Sequence, residues 1–279
     1  MRICSTQWCY AALCLVATSS AVAQDETLAD ARYLSYAGQA FDIDSGDKIY
    51  GEVHQVKSVD GQPLERIVTY RCPNGAAFAR KRVQRSRLAS APQFSMEDHR
   101  LDYDEGLEVS NDDLVVYVRG VGDTQRKSEI LAELPDDLVA DAGFDVFVLD
   151  RWERLVAGET VHFHFLVPSR LEYMNFKVKQ VREERIGERE ARTFRLALGG
   201  LLGLIVSGID VSYDAETRTI LQFSGLSNVR DPDGKNYVVR LDFPPAERIE
   251  QSGPAAFDAA GQEALVKTCT APAAQASEA

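Results

Sequence analysis

The sequence lacks the motifs of the common catalytic and nucleotide-binding sites. No Gly-x-Ser-x-Gly segment is present, so the nucleophile elbow of the α/β-hydrolases is excluded. Gly199, Gly200 and Gly203 form a glycine-rich stretch, but no Lys-Ser or Lys-Thr pair follows it, as a phosphate loop requires. We therefore expect neither enzyme activity nor a cofactor.

Positive charge is scarce relative to negative charge. The chain has 31 Lys and Arg residues against 43 Asp and Glu residues, and its formal net charge is −12. An acidic surface disfavours nucleic acids as partners and also disfavours broad adsorption to anionic membranes. We expect no nucleic acid partner, and the sequence leaves the oligomeric state open.

Long apolar runs are scarce as well, and the clearest one is at the N-terminus. Arg2 is the only charged residue there, residues 3–16 are mostly apolar, and Ala21-Val22-Ala23 has the small-x-small pattern of a cleavage site. The run is too short to span about 30 Å of hydrocarbon. This pattern predicts a signal peptide over residues 1–23 that is cleaved after Ala23.

Cysteine is rare outside the predicted signal peptide. Three of the five cysteines precede Ala23, which leaves Cys72 and Cys269. An exported protein folds in an oxidising compartment, so two cysteines favour one disulfide bond. The alternative is a pair of free thiols. A bond between Cys72 and Cys269 would hold down a C-terminal tail whose sequence offers little else to order it.

The sequence is rich in period-two alternation of apolar and polar residues. Turn signals such as Asp60-Gly61 and Asp231-Pro232-Asp233-Gly234 separate the alternating segments, as is typical of antiparallel hairpins. The segments lie at residues 47–58, 64–72, 77–88, 94–103, 113–119, 125–131, 159–167, 171–185, 191–198, 209–213, 220–223 and 237–243.

These segments predict a mainly β protein with a single antiparallel curved sheet of roughly ten to twelve strands, forming a half or near-closed barrel. The domain is expected to cover residues 24–250, and residues 251–279 are expected to be a C-terminal tail that is partly disordered. One main helix is predicted over residues 141–158, where apolar residues recur at helical spacing between an N-cap, Asp141, and a C-terminal stop, Gly158. We expect this helix to pack on the concave side of the sheet.

His162 and His164 lie two residues apart on a predicted strand, so both project from one face. Such a pair binds zinc only if a third ligand converges, and no Cys or His lies nearby in the sequence. We interpret them as two histidines on the more solvent-exposed face of the strand and expect no metal site.

A basic cluster stands out in this acidic chain. It comprises Arg80, Lys81, Arg82, Arg85 and Arg87. We interpret it as the solvated face of an edge strand, where basic residues discourage aggregation. The alternative is a docking surface for a phospholipid headgroup or an acidic partner.

A carboxylate cluster is formed by Asp102, Asp104 and Glu105. Acids in an acidic hairpin usually face solvent. We therefore expect these three carboxylates to be exposed and to take no part in acid–base chemistry.

Three stretches carry a resemblance to known proteins. They are Phe78-Ala79-Arg80-Lys81, the run from Phe163 to Tyr173, and the segment from Ser212 to Tyr237. Together they resemble a group of uncharacterised exported proteins of Gram-negative bacteria over most of residues 30–245. More remotely, the layout resembles the periplasmic lipoprotein-carrier (Lol-type) half-barrel superfamily, whose concave, apolar side holds acyl chains. This chain is longer and lacks the lipidated cysteine of the acceptor type.

The resemblance implies a periplasmic location and an interior that accepts a hydrophobic ligand. We predict a periplasmic binding or carrier protein for a lipid or an acyl chain. One alternative is a non-enzymatic envelope assembly or interaction factor that binds an envelope protein through its surface. Another is a hydrolase in which His162 or His164 meets a carboxylate in a cleft.

The expected ligand-binding residues are aromatic residues of the strands, together with apolar residues of the segment 201–206. That segment either belongs to the core or covers a hydrophobic opening. The residues are Phe163, Phe165, Phe176, Leu201, Leu202, Leu204, Ile205 and Tyr237.

Overall fold

A computed structural model of the chain describes residues 31–111, 113–199 and 208–270. The predicted signal peptide lies outside the described residues. So do Leu201, Leu202, Leu204 and Ile205, which were expected to contact the ligand. No helix among the described residues is long and apolar enough to cross a membrane.

Sixteen strands are found in the described ranges, more than the sequence predicted. Their bounds are β1 Arg32–Asp42, β2 Lys48–Val59, β3 Gln62–Arg71, β4 Ala77–Gln84, β5 Gln93–Asp98, β6 Tyr103–Ser110, β7 Asp113–Arg119, β8 Lys127–Ile130, β9 Leu138–Val139, β10 Val161–Val167, β11 Glu172–Ile186, β12 Arg189–Leu198, β13 Ile209–Asp214, β14 Ile220–Arg230, β15 Asn236–Asp242 and β16 Ile249–Gln251.

All sixteen strands form one sheet, and the prediction of a single curved, unclosed sheet is confirmed. Strands β1 to β8 follow one another as a meander, and strands β10 to β15 form a second meander, which β9 extends at its edge. The two meanders join where β1 pairs with β15, so β8 and β9 lie at the two edges. All pairs are antiparallel except β9 with β10.

The strand predictions were incomplete. Strands β1, β9 and β16 were not predicted, although β1 joins the two meanders. The segment 94–103, predicted as one strand, contains β5, a turn and the first residue of β6. Asp102 in that turn has a φ of 48°, a left-handed conformation that aspartate tolerates better than most residues. The apolar and polar residues alternate through this turn as well, so the sequence pattern did not show that the strand ends there.

The predicted helix over residues 141–158 is present as two short helices, α1 Gly143–Asp150 and α2 Trp152–Val156. Arg151 separates them with φ −112° and ψ 12°. The predicted N-cap was wrong, because Asp141 accepts a hydrogen bond from Lys81 instead of capping α1. The predicted stop is confirmed, since Gly158 follows α2 with a φ of 89°.

Helices α1 and α2 pack against the inner face of β10 to β13, as predicted for the concave side. The ring centroids of Phe147 and Phe163 lie 4.5 Å apart, and those of Trp152 and Phe194 lie 5.1 Å apart. Phe147, Phe163 and Phe194 are at most 1% exposed. The aromatic residues of the helices therefore fill one part of the interior.

A third helix, α3 Ala255–Gln262, packs on the opposite, outer face of the sheet. Phe257 and Ala260 contact Ile67 of β3, and Tyr33 of β1 packs beside them. Ile67 alternates along β3 with Val68, which faces the interior. The described part of the predicted tail is therefore docked on the domain.

The basic cluster of β4 holds α3 in place. Arg80 Nε donates a 3.0 Å hydrogen bond to the carbonyl of Ala260, and Arg82 donates to the carbonyl of Gly261. Guanidinium groups satisfy carbonyls that a helix C-terminus leaves free. The edge-strand interpretation was wrong, because β4 pairs with both β3 and β5.

A disulfide bond closes the C-terminal segment onto β3, as predicted. Cys72 and Cys269 are bonded, with their Cα atoms 5.4 Å apart and 197 positions apart in sequence. Arg71 beside it makes two 2.7 Å hydrogen bonds to Glu263. The bond and the ion pair together tie the end of the described chain to the sheet.

Reduction of this disulfide is expected to lower the free energy of unfolding by roughly 3–5 kcal/mol, because the loop that it closes in the unfolded chain is long. Urea unfolding with and without dithiothreitol measures the loss. The Cys72→Ser/Cys269→Ser double variant is the control and should not respond to dithiothreitol. Equal urea midpoints for the oxidised and reduced protein would contradict the expected role.

Candidate functional site

The sheet and α1 enclose a cavity of about 310 Å³. Strands β1 to β6 and β10 to β15 both contribute to its lining, because the sheet curves and brings its two meanders face to face. Leu226 lines the cavity and is 52% exposed, so the cavity reaches the surface there. The volume is at the low end of the range of roughly 300–1,000 Å³ for small-molecule sites.

The lining has two chemically different sides. What we call the apolar wall comes from β10 and β12 to β15 and comprises Phe165, Leu166, Leu196, Ile209, Val211, Ile220, Phe223 and Leu241, together with Phe243 after β15. What we call the polar wall comes from β1 to β4 and β6 and comprises Tyr36, Glu52, His54, Arg66, Tyr70, Lys81 and Glu105, which lie among the apolar lining residues Val68, Val83 and Phe94. The cavity is therefore amphipathic.

Four of the residues that the sequence predicted as ligand contacts are described by the structure, and one of these four lines the cavity. Phe165 lines the cavity. Phe163 and Phe176 pack in the cluster beneath the helices, and Phe163 is 1% exposed. Tyr237 packs near Tyr50, with 6.4 Å between ring centroids, outside the cavity lining. Reading the aromatic alternation alone did not separate residues that fill the core from residues that line the cavity.

The polar wall contains charges that are paired across the cavity with the start of the helical segment. Lys81 donates to Asp141, and both side chains are at most 12% exposed. Arg66 lies opposite Asp145, with 3.7 Å between Nη1 and Oδ2. Tyr213 donates a 2.7 Å hydrogen bond to Asp145 Oδ1. These contacts hold α1 at a fixed place beside the cavity.

His54 is buried in the polar wall. Its Nε2 lies 2.9 Å from Glu52 Oε2, and its ring stacks on Tyr36 with centroids 4.3 Å apart. Burial lowers the pKa of His54, and the hydrogen bond to Glu52 opposes that shift. Among the described residues, its Nδ1 has no hydrogen-bond partner.

The exposure predicted for the carboxylate cluster was wrong for two of its members. Asp104 is 4% exposed and pairs with Arg119 at 2.6 Å and with Arg126. Glu105 is 8% exposed, lines the cavity and accepts a hydrogen bond from Tyr103. Burial raises the pKa of Glu105 above its ordinary value. Asp102 is exposed, as expected.

His162 and His164 lie on β10, away from the cavity lining. His162 is exposed, whereas His164 Nδ1 lies 2.6 Å from Asp137 Oδ1. Among the described residues, no group of three or more His, Cys, Asp or Glu side chains is placed to hold a metal ion. Neither histidine therefore belongs to the candidate site.

The sequence carried a weak signal for the polar wall. Tyr50, Glu52, His54 and Val56 alternate along β2, and this alternation was visible in the sequence. Nothing in the local pattern showed that the face carrying Glu52 and His54 is the inner one. Charged residues on an inner face run against the usual preference for apolar interiors.

No known protein-family model and no curated protein matches the sequence of this chain. Among solved structures, the chain is similar to one described as a beta-barrel-like protein of domain of unknown function DUF1849 from Brucella abortus. The TM-score is 0.47 at 7% sequence identity, and the likeness covers 80% of this chain and 98% of that chain. The likeness says nothing about what this chain binds.

The depressed pKa of His54 predicts that it destabilises the fold in acid. Below the ordinary histidine pKa of 6.5, His54 is protonated in the unfolded state but binds a proton less readily in the folded state. The free energy of unfolding therefore decreases as the pH is lowered. We expect the wild type to lose more stability than His54→Gln between about pH 8 and about pH 5.5.

Urea unfolding of both proteins at the two pH values measures this difference. The other titrating groups are common to the wild type and the variant, so the difference in the pH response reports on position 54. An identical pH dependence would show that His54 has an ordinary pKa in the folded state.

Proposed function

We propose that this protein is a periplasmic binding or carrier protein for a hydrophobic ligand such as a lipid or an acyl chain. The observation that carries the proposal is the apolar wall, a set of large apolar side chains that faces a cavity instead of filling it. Ile220, Phe223 and Phe165 are only partly buried. A ligand chain lying against them would complete their removal from water.

The size and energetics of the cavity support a ligand with a single chain. Removing apolar surface from water stabilises by roughly 25 cal/mol per Å², so a chain burying about 200 Å² would gain about 5 kcal/mol before the costs of association. A volume of about 310 Å³ leaves little space for several chains at once. The cavity therefore favours one acyl chain over a bulky diacyl lipid.

The periplasmic location is part of the proposal. It is supported by the sequence pattern of a cleavable signal peptide and by the Cys72–Cys269 bond, since disulfides persist in exported proteins. The remote resemblance to the lipoprotein carriers supports a lipid as the class of ligand.

The alternative of an assembly factor acting through the basic cluster receives less support. Arg80 and Arg82 are engaged with carbonyls of α3, and Lys81 points inward. Arg85 and Arg87 remain exposed. Two arginines make a small patch, so the cavity is the better candidate site.

Filling the cavity should abolish ligand binding. We expect Ile220→Trp to weaken binding of the uncharged probe N-phenyl-1-naphthylamine by at least about tenfold, equivalent to about 1.4 kcal/mol, because the indole takes the place of the probe. Fluorescence titration measures the affinity. The matched control is Ile130→Trp, since Ile130 is 58% exposed on the edge strand β8.

Native mass spectrometry of the protein purified from the periplasm, followed by organic extraction, identifies the bound molecule. The wild type should carry a lipid or fatty acid that Ile220→Trp lacks. Failure of the wild type to bind the probe, together with the absence of any extracted lipid, would refute the proposed function.

A further inference from the structure

Arg66 is a cation in the cavity, and its ion pair does not occupy all of its hydrogen-bond donors. It lies on β3, lines the cavity, and its side chain is 18% exposed. Its ion pair with Asp145 spans 3.7 Å, which is longer than a hydrogen bond. A guanidinium group carries five N–H donors. Most of these donors are therefore not taken up by Asp145.

Lys81, the other cation of the lining, differs in this respect. Its ammonium group donates directly to Asp141, and its side chain is only 10% exposed. The remaining carboxylates of the lining also have close partners, because Glu52 faces His54 and Glu105 accepts from Tyr103. Arg66 is therefore the lining cation with the greatest unused capacity for an anion.

A second guanidinium group lies close to Arg66. Arg248 lies over the ring of Tyr36, with 4.3 Å from its Cζ atom to the ring centroid. Arg66 and Arg248, together with the carboxylates of Asp145 and Glu52, act electrostatically on Tyr36. The two guanidinium groups therefore supply positive charge to this end of the cavity, beside two carboxylates that oppose it.

Asp145 can release Arg66 and still keep a hydrogen bond and contact with water. Tyr213 donates a 2.7 Å hydrogen bond to Asp145 Oδ1, and the Asp145 side chain is 29% exposed. The contact that a new anion would displace is the 3.7 Å pair, which is already weak. Rearrangement of Arg66 toward a ligand therefore has a small cost.

The apolar wall begins directly beside this end. Phe243 packs against Tyr36, with 6.0 Å between the ring centroids, and Phe243 and Leu241 both line the cavity. A molecule with its head at Arg66 would lay its chain along these side chains toward Phe223. Head and tail positions are thus adjacent in one cavity.

We propose that Arg66 binds the carboxylate head of a single-chain amphiphile whose tail lies on the apolar wall. The planar fork of arginine matches the two oxygens of a carboxylate. This inference rests on the proposed function and names the ligand class as a fatty acid anion.

Competition against N-phenyl-1-naphthylamine tests the head-group preference. Laurate and dodecanol have the same chain length and differ in the charge of the head. We expect laurate to displace the probe from the wild type at a concentration at least about tenfold lower than dodecanol does. Both compounds are used below their aggregation concentrations at neutral pH.

Arg66→Gln should remove this preference by weakening laurate binding to the level of dodecanol, with dodecanol binding unchanged. Arg66→Lys is the second variant and should narrow the preference, because it keeps the charge but lacks the fork. The matched control is Arg185→Gln, since the Arg185 side chain is 65% exposed on the hairpin of β11 and β12. Circular dichroism verifies that each variant is folded.

Two results would overturn the assignment to Arg66 while leaving the carrier proposal intact. One is equal or tighter binding of dodecanol by the wild type, which would point to His54 as the head-group contact, because its Nδ1 has no partner among the residues that the structure describes. The other is an undiminished preference for laurate in a folded Arg66→Gln protein. Failure of both compounds and of the probe to bind would refute the carrier proposal itself.

Discussion

Pairing of β1 on both of its edges is the constraint on which the rest of the structure depends. One edge pairs with β2, and the other pairs with β15 over residues 39–42 and with β16 over residues 33–35. Between these two pairings lies Gly38, where an added Cβ atom would approach a ring carbon of Phe243 to 2.6 Å. The close approach of Phe243 to the strand brings the second meander over the first. Without it, the two meanders would be separate sheets with no cavity between them.

The predictable part of the fold is the part encoded by local pattern. Alternation and turn residues such as Asp60-Gly61 identified most strands, because a side chain's face in a strand depends only on its neighbours in sequence. The disulfide was also predictable, since only Cys72 and Cys269 follow the predicted signal peptide. β1 was missed, although its residues alternate between half-buried and buried from Ser35 to Ala40 in the structure.

The candidate site was less predictable, because its geometry depends on long-range register. Lys81 and Asp141 are 60 positions apart, and Tyr213 and Asp145 are 68 apart. No sequence pattern shows that these side chains meet. Phe163 and Phe176 were predicted to contact the ligand because they are aromatic residues of predicted strands that were expected to line the interior. The helices that fill that space pack against them instead.

Charged residues on an inner face carry a cost that the structure offsets only in part. A buried charge is tolerated when a partner and hydrogen bonds replace its hydration. Lys81 and Asp141 meet that condition, whereas Arg66 meets it loosely. In the part of the chain that the structure describes, the Nδ1 atom of His54 has no hydrogen-bond partner. A wall optimised for stability alone would carry apolar residues at these positions. Its incomplete pairing is the observation on which the proposed contact with a polar head group rests.

Strand β4 connects the polar wall to the C-terminal segment, because side chains on its two faces contact different parts of the chain. Lys81 faces inward toward Asp141, while Arg80 and Arg82 on either side face outward and hold α3. The same division holds on β3, where Arg66 and Val68 line the cavity and Ile67 contacts Phe257. A helix on the outer face, together with the disulfide at the end of β3, thus braces the two strands that present the polar wall within. Since interiors are close-packed, a bracing layer limits how far these strands can shift. The C-terminal segment is in this way part of the support of the cavity.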